Sequence, residues 1–165
     1  MLLQQRAGVA LSTHSTANFV RREIATALRK GPYSVNMLIA GYDLPGAGEV
    51  AAGADAEAGT PSLYWMDYLG NMRKLPYGAH GYCGYFIMST FDRYYRKGLS
   101  LDDAVLLCKK AIAEIKMRFL VDAGNFICKV VDKDGVREID MGEDVILDDG
   151  QGVHEHYGGN AMETA

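Results

Sequence analysis

A glycine-rich segment in the first half of the chain matches a nucleotide-binding motif. Gly46-Ala47-Gly48-Glu49-Val50-Ala51 has the spacing G-x-G-x-x-A, in which glycines let the backbone approach a pyrophosphate at the start of a helix. The next residues, 52–60, contain only Ala, Gly, Asp, Glu and Thr and lead straight into Pro61, so no amphipathic helix follows. We therefore interpret residues 47–59 as an inserted loop between two strands, and we expect no nucleotide or other cofactor.

Three further segments contain residue types that can bind metals or perform acid-base chemistry. Asp132-Lys133-Asp134-Gly135 is similar to the start of a calcium loop, but the third oxygen ligand and the closing Glu are misplaced, which favours a hairpin turn. His154 and His156 lie in a Gly-rich segment with no residues to orient their rings, so we expect no dedicated metal site. His80 lies among small loop residues, and because no spacing selects a nucleophile for it, a hydrogen bond within the loop is favoured.

The cysteines indicate a reducing compartment. Cys83, Cys108 and Cys128 are odd in number, widely spaced and without a C-x-x-C pair, which favours free thiols over a disulfide framework or a zinc site. Cys108 and Cys128 stand in apolar periodic contexts. We therefore expect both to be small core residues.

Length and charge exclude several classes of protein. The chain has 165 residues, of which 48% are hydrophobic, so one core can form without disulfides. A formal net charge of −4 argues against binding to nucleic acid, and the absence of an apolar run near the ~20 residues of a membrane span argues against a membrane protein. Residues 1–147 are predicted to form a single domain. Residues 148–165, rich in Gly, Asp, Glu and His, are predicted to be a flexible tail.

The first half of the chain predicts a helix followed by three strands. Apolar residues at helical spacing, from Phe19 to Leu28, predict a helix capped at Ser15 that must end at Gly31-Pro32. The strands are predicted at 34–42, where the apolar run indicates burial on both faces, and at 63–68 and 72–75. The pair Gly70-Asn71 indicates a tight antiparallel turn between the last two.

The second half predicts two helices and a hairpin. Residues 82–96 are predicted to be helical, with Lys97-Gly98 at the helix end, and a second helix begins after the cap Ser100. The second helix carries a predicted core stripe of Leu101, Val105, Cys108, Ile112, Ile115 and Phe119. Strands are predicted at 126–131 and 136–140, around an Asp-Gly turn. Helices and hairpins grouped in this order predict an α+β fold with antiparallel sheets.

Four sequence blocks together carry a family resemblance. They are Pro32-Tyr33-Ser34-Val35-Asn36-Met37-Leu38-Ile39-Ala40-Gly41-Tyr42-Asp43, Asp67-Tyr68-Leu69-Gly70, Leu75-Pro76-Tyr77-Gly78-Ala79-His80-Gly81-Tyr82 and Val130-Val131-Asp132-Lys133-Asp134-Gly135-Val136-Arg137. In this order they closely resemble the beta subunits of the 20S proteasome, and among these the non-catalytic beta-4 class. The resemblance covers about residues 1–140, with residues 47–59 as an insertion.

The resemblance implies a fold and an assembly. Its fold is that of the N-terminal-nucleophile hydrolases, four αββα layers with antiparallel sheets, and we expect the first strands of the usual subunit to be absent here. The implied partners are other beta subunits of the same and the opposite ring, alpha-ring subunits, and unfolded polypeptide substrates in the chamber. The implied location is the cytoplasm and the nucleus, and the implied process is ubiquitin- and ATP-dependent protein degradation.

The resemblance does not place a catalytic residue on this sequence. Active members use a threonine at a free chain terminus, whose own α-amino group is the general base. Gly59-Thr60 is similar to a processing site, but cleavage there would remove the predicted strand at 34–42. We therefore expect a non-catalytic, structural subunit with no catalytic, cofactor or metal residues. The alternative is a truncated record of a catalytic threonine endopeptidase subunit.

Overall fold

The computed structural model describes residues 11–45, 59–118 and 126–141. Within these ranges the chain forms three helices and five strands, in the predicted order of helix, three strands, two helices and two strands. They are α1 (Thr13–Ala27), β1 (Met37–Asp43), β2 (Thr60–Met66), β3 (Met72–Lys74), α2 (Gly84–Tyr94), α3 (Leu101–Arg118), β4 (Cys128–Asp132) and β5 (Gly135–Ile139). Both sheets are antiparallel, which confirms the α+β prediction. Residues 47–58 of the proposed insertion at 47–59, and the proposed tail at 148–165, lie outside the described residues.

Helix α1 begins three residues earlier than the sequence indicated. The cap is Ser12 rather than Ser15, because the Ser12 Oγ accepts a hydrogen bond from the Ser15 amide at 3.1 Å. A second acceptor comes from the sheet, since the Asp43 carboxylate accepts from the Thr13 amide at 2.7 Å. The helix also ends before Gly31-Pro32, at Ala27, whose carbonyl accepts the amides of Lys30 and Gly31 in a closing turn. The start of α1 is therefore fixed by groups that are distant in sequence.

Strands β1, β2 and β3 form one sheet, and α1 covers one of its faces. Met37 pairs with Met66 and Ile39 with Tyr64, so alternate residues of β1 and β2 share the face toward α1. On that face Tyr64 and Met66 are buried together with Ala17 and Ile24 of α1. The prediction that the first strand is buried on both faces is wrong. On the other face of the sheet, Leu38 remains 42% exposed in the described structure.

Two glycines set the local geometry of this sheet. At Gly70, φ is +81°, the left-handed conformation that the predicted Gly-Asn turn between β2 and β3 requires. At Gly41 the requirement is space, because an added Cβ would lie 2.1 Å from the Thr13 Oγ1. The backbones of β1 and α1 therefore approach more closely at this point than any side chain on β1 would allow.

Helices α2 and α3 pack against each other. The predicted cap of α3 is confirmed, since the Ser100 Oγ accepts from the Asp103 amide at 3.1 Å. In the predicted core stripe of α3, Leu101 is exposed and three residues are half-buried, namely Val105, Cys108 and Ile112, while Phe119 lies outside the described residues. The buried residues are Leu107, Lys110, Ala111 and Ile115, and only Ile115 belongs to the stripe that was predicted. Because α2 packs against the side of α3 that carries Lys110, the packing partner and not the apolar spacing decides which face is covered.

Strands β4 and β5 form a separate two-stranded hairpin beside β1. Gly135 at the turn has φ +107°, as the Asp-Gly signal predicted. Cys128 at the start of β4 lies near Cys108 of α3, and both thiols are free. Each is half-buried, and burial raises the pKa of the Cys108 thiol. Strand β4 of the hairpin thus lies close both to α3 and to β1 of the first sheet.

The close approach at Gly41 gives a test of the α1 contact. We expect Gly41→Ala to destabilise the fold by about 1–3 kcal/mol, because the new methyl group forces α1 away from β1. Thermal or denaturant unfolding of the purified protein measures the loss. Gly31→Ala is the matched control, because nothing lies within 4 Å of its added Cβ. Adding Thr13→Ala to Gly41→Ala should recover part of the loss, and equal effects of the two glycine substitutions would contradict this account.

Candidate functional site

The candidate chemical residues that the structure describes, His80 and Asp132, form structural hydrogen bonds. The Nε2 of His80 lies 3.0 Å from the Met37 carbonyl and its ring stacks on Trp65 at 4.7 Å, which is the loop role predicted for it. The carboxylate of Asp132 accepts from the Asp134 amide and from Arg137 across the hairpin, so this segment is the predicted turn. In the described residues no group of three His, Cys, Asp or Glu side chains is placed to hold a metal ion. The glycine motif from Gly46 and the pair His154 and His156 lie outside the described residues.

The end of β1 and the start of α1 bring together a polar cluster that the sequence did not indicate. The Asp43 carboxylate accepts from both the amide and the hydroxyl of Thr13, at 2.7 and 2.9 Å. At the next residue, the His14 Nδ1 lies 3.0 Å from the hydroxyl of buried Tyr64. Burial raises the pKa of Tyr64, and the nearby charge of Asp43 raises it further. The cluster forms because α1 packs on the paired strands β1 and β2.

The threonine hydroxyl in this cluster is not arranged as a nucleophile. Thr13 is buried, its nitrogen is a peptide amide inside the chain, and Gly41 closes the space beside its hydroxyl. Thr60 is the first residue of β2 and pairs with Asp43. The aromatic ring of Tyr42 fills the space beside Gly59, where an added Cβ would lie 2.2 Å from Tyr42 Cε1. Both threonines therefore serve the packing of the fold.

Large apolar side chains at the surface form the more distinctive feature. Tyr82, in the turn just before α2, and Tyr85, in its first turn, are 92% and 89% exposed, and we refer to them as the aromatic patch. Ile127 and Val136 on the β4–β5 hairpin are also exposed. Tyrosine is enriched where proteins bind other proteins, because its ring buries a large area and its hydroxyl keeps a polar contact. We therefore take the aromatic patch and the exposed hairpin residues as the candidate functional surfaces.

Comparison with known proteins agrees with this geometry. Residues 45–131 match the family model described as "Proteasome subunit". This chain belongs to the proteasome subunit family. Its α+β elements are those of a proteasome-family domain, and the resemblance found in the sequence is confirmed.

The individual relatives are named as beta subunits. The chain is 49% identical over 137 residues to "Proteasome subunit beta type-2-B" of Arabidopsis thaliana, an alignment that covers 83% of this chain and 62% of the relative. It is 42% identical over 137 residues to "Probable proteasome subunit beta type-4" of Schizosaccharomyces pombe, covering 82% and 64%. With "Proteasome subunit beta type-4" of Saccharomyces cerevisiae the identity is 39% over 131 residues, covering 79% and 60%. The chain thus spans about three fifths of the length of these relatives.

In this proteasome-family chain, helix α3 supports the helix that presents the aromatic patch. Lys110 of α3 is only 3% exposed, and its Nζ lies 4.6 Å from the centre of the Tyr94 ring of α2. A desolvated cation over an aromatic face stabilises the contact between the two helices. Burial lowers the pKa of Lys110, because it disfavours the charged form.

None of the described helices is long and apolar enough to cross a membrane.

The Lys110–Tyr94 contact can be measured with a double-mutant cycle. We expect Tyr94→Leu and Lys110→Met to couple by about 1 kcal/mol in the free energy of unfolding. Lys109→Met is the matched control and should be additive with Tyr94→Leu. Because the folded protein releases the Lys110 proton at a lower pH than the unfolded chain, its stability relative to Lys110→Met should rise as the pH approaches the ordinary lysine range. Additivity at Lys110, or the opposite slope with pH, would exclude this role.

Proposed function

We propose that this chain is a non-catalytic beta subunit of the 20S proteasome core particle. In this role it completes a beta ring and supports neighbouring active subunits during ubiquitin- and ATP-dependent protein degradation. The observation that carries the proposal is the exposed aromatic patch on a proteasome-family domain. Two tyrosines at full exposure are costly to leave in water and are suited to a protein interface.

The non-catalytic part of the proposal is supported by where the threonines lie. Catalysis of this type requires a threonine with a free α-amino group as its own general base. The described threonines are inside elements: Thr13, Thr16 and Thr26 in α1, Thr60 in β2 and Thr90 in α2. Release of Thr60 by cleavage would separate β2 from β1, with which it pairs over seven residues. The loss of this strand pairing argues against Thr60 as a processed catalytic residue.

The layer order of the fold is also part of the proposal. Helix α1 packs on one face of the β1–β3 sheet, β4 lies next to β1, and Cys128 of β4 is near Cys108 of α3. These contacts support a sequence of layers in which α1 and the α2–α3 pair are outermost and the two sheets are stacked between them. We assign this αββα order, and with it the N-terminal-nucleophile hydrolase arrangement, as the complete architecture of the subunit.

The proposed partners follow from the same assignment. They are beta subunits of the same and the opposite ring, subunits of the alpha ring, and unfolded polypeptides inside the chamber. Within the beta subunits we place the chain in the beta-4 class, whose printed name two of the yeast relatives carry while the plant relative is named type-2. We propose the cytoplasm and the nucleus as its location.

Purification from the source cells tests membership of the particle. A tagged copy of this chain should co-purify with alpha and beta proteasome subunits in a large particle, at the same stoichiometry as each of the other beta subunits. Recovery as a free monomer would overturn the proposal. The intact mass of the incorporated subunit tests the non-catalytic assignment separately, because a mature chain that begins with threonine would identify a catalytic subunit.

The aromatic patch should be needed for assembly and not for folding. We expect Tyr82→Ser with Tyr85→Ser to lower incorporation into the particle several-fold, because the substitutions remove apolar area that a partner would cover. Their effect on unfolding should stay within about 0.5 kcal/mol, as is usual for exposed positions. Lys97→Ser with Lys133→Ser is the control at two other exposed positions. Normal incorporation of the double tyrosine variant would show that the aromatic patch is not an assembly interface.

A further inference from the structure

The turn of the β4–β5 hairpin contains a chemically reactive pair of residues. Asp134 is followed by Gly135 at the point where the turn enters β5, and both residues are exposed to water. In an Asp-Gly pair the amide nitrogen of the glycine can attack the aspartate side chain, because the glycine has no side chain to shield that nitrogen. The pair therefore has the composition and the exposure for a rearrangement of the main chain through a cyclic imide.

The carboxylate of Asp134 is not held by the hairpin. The Asp134 amide donates to the Asp132 Oδ1 at 2.9 Å, but the Asp134 carboxylate forms no hydrogen bond or ion pair with a described residue. The carboxylate of Asp132 accepts from this amide and also from the Arg137 guanidinium. The side chain of Asp134 can thus rotate toward the next amide nitrogen, whereas the side chain of Asp132 is fixed.

The backbone at Gly135 leaves room for this approach. Its φ is +107°, a conformation that residues with a side chain rarely adopt. Apart from its chain neighbours, no described atom lies within 4 Å of a Cβ built on Gly135. No described group outside the turn therefore crowds this side of the main chain.

The other described aspartates lack this combination of features. None of them precedes a glycine: Asp43, Asp67, Asp92, Asp102, Asp103, Asp132 and Asp140. Four of them also accept hydrogen bonds through their carboxylates, namely Asp43, Asp67, Asp92 and Asp132. Among the described residues, Asp134 is the aspartate that combines exposure, an unheld carboxylate and a following glycine.

We propose that Asp134 is a site of spontaneous isoaspartate formation in the folded protein, and that a methyltransferase specific for the isoaspartyl carboxyl group recognises the product. The Gly135 nitrogen forms a bond to Cγ of the protonated Asp134 side chain. The amide proton and the carboxyl hydroxyl leave as water, and a succinimide ring results. Water then adds at the main-chain carbonyl of Asp134, and the original peptide bond breaks. The chain now runs through the side-chain carbon, and one water molecule has been released and one taken up.

The isomerised turn alters the hairpin next to one of the candidate surfaces. The new link adds one carbon atom to the main chain between Asp134 and Gly135 and leaves a free carboxylate on the branch. In the hairpin, Gly135 pairs with Asp132 and Val136 with Val131, so a longer turn no longer matches this register. Val136 is 69% exposed beside the turn, and its position changes with the pairing.

Ageing of the purified full chain tests the proposal. The folded protein is kept at neutral pH and physiological temperature and is digested at intervals. Fragment ions that distinguish isoaspartate from aspartate are then measured separately at Asp132 and Asp134. We expect isoaspartate to accumulate about tenfold faster or more at Asp134, because Asp132 is held by hydrogen bonds and is followed by a residue with a side chain. Equal conversion at the two positions would contradict the argument from the turn.

A free peptide of residues 130–137 shows whether the fold leaves this site open. We expect the folded chain to convert within about tenfold of the rate of the peptide, because an exposed turn opens locally at little cost. Conversion in the peptide with none in the folded chain would overturn the proposal. Circular dichroism of each aged sample verifies that the chain has remained folded.

The variant Asp134→Glu separates this chemistry from other changes during ageing. It keeps the negative charge at an exposed position, but its side chain would have to close a six-membered ring, so no isomer should form at this position. Isoaspartyl methyltransferase with labelled S-adenosylmethionine should label the 130–137 segment of the aged protein and not that of Asp134→Glu. An aged protein that contains isoaspartate at Asp134 but takes up no label there would overturn the recognition by the methyltransferase.

Discussion

The contact of α1 with β1 and β2 is the interaction on which the rest of the described structure depends. Ala17 and Ile24 cover Tyr64 and Met66, and the absence of a side chain at Gly41 lets Thr13 reach Asp43. A carboxylate at a helix start satisfies amides that have no partner inside the helix and also complements the helix dipole. The same contact buries one face of the sheet and holds the start of α1 against the end of β1.

The burial that results is uneven. Within the described residues the fully buried hydrophobic side chains are few, and they cluster under α1 and along α3, while many large apolar residues remain at the surface. A chain with 48% hydrophobic residues and 165 positions has enough apolar area for a complete core. Its apolar surface is instead divided between helix faces that are covered and patches that are exposed. This division is typical of a domain whose remaining contacts are with other proteins.

The sequence predicts local features of this fold well, and it predicts features that depend on tertiary packing poorly. Turns at Gly70 and Gly135 were predicted because their backbone needs a conformation that glycine adopts without strain. The buried face of α3 was not predicted, because it includes Lys110, which lies under the ring of Tyr94. The spacing of apolar residues carries no information on a lysine that is buried against an aromatic ring. The Thr13–Asp43 contact joins residues 30 positions apart, so it follows only from the packing of α1 on the sheet.

The aromatic patch differs in physical character from the ion pairs of the described structure. Tyr82 and Tyr85 offer apolar area, whose contribution to a contact changes little with ionic strength. Exposed ion pairs such as Lys129–Glu138 are screened over about 10 Å at 0.1 M salt and contribute little. A contact made through the aromatic patch should therefore persist at salt concentrations that weaken contacts made through exposed charges.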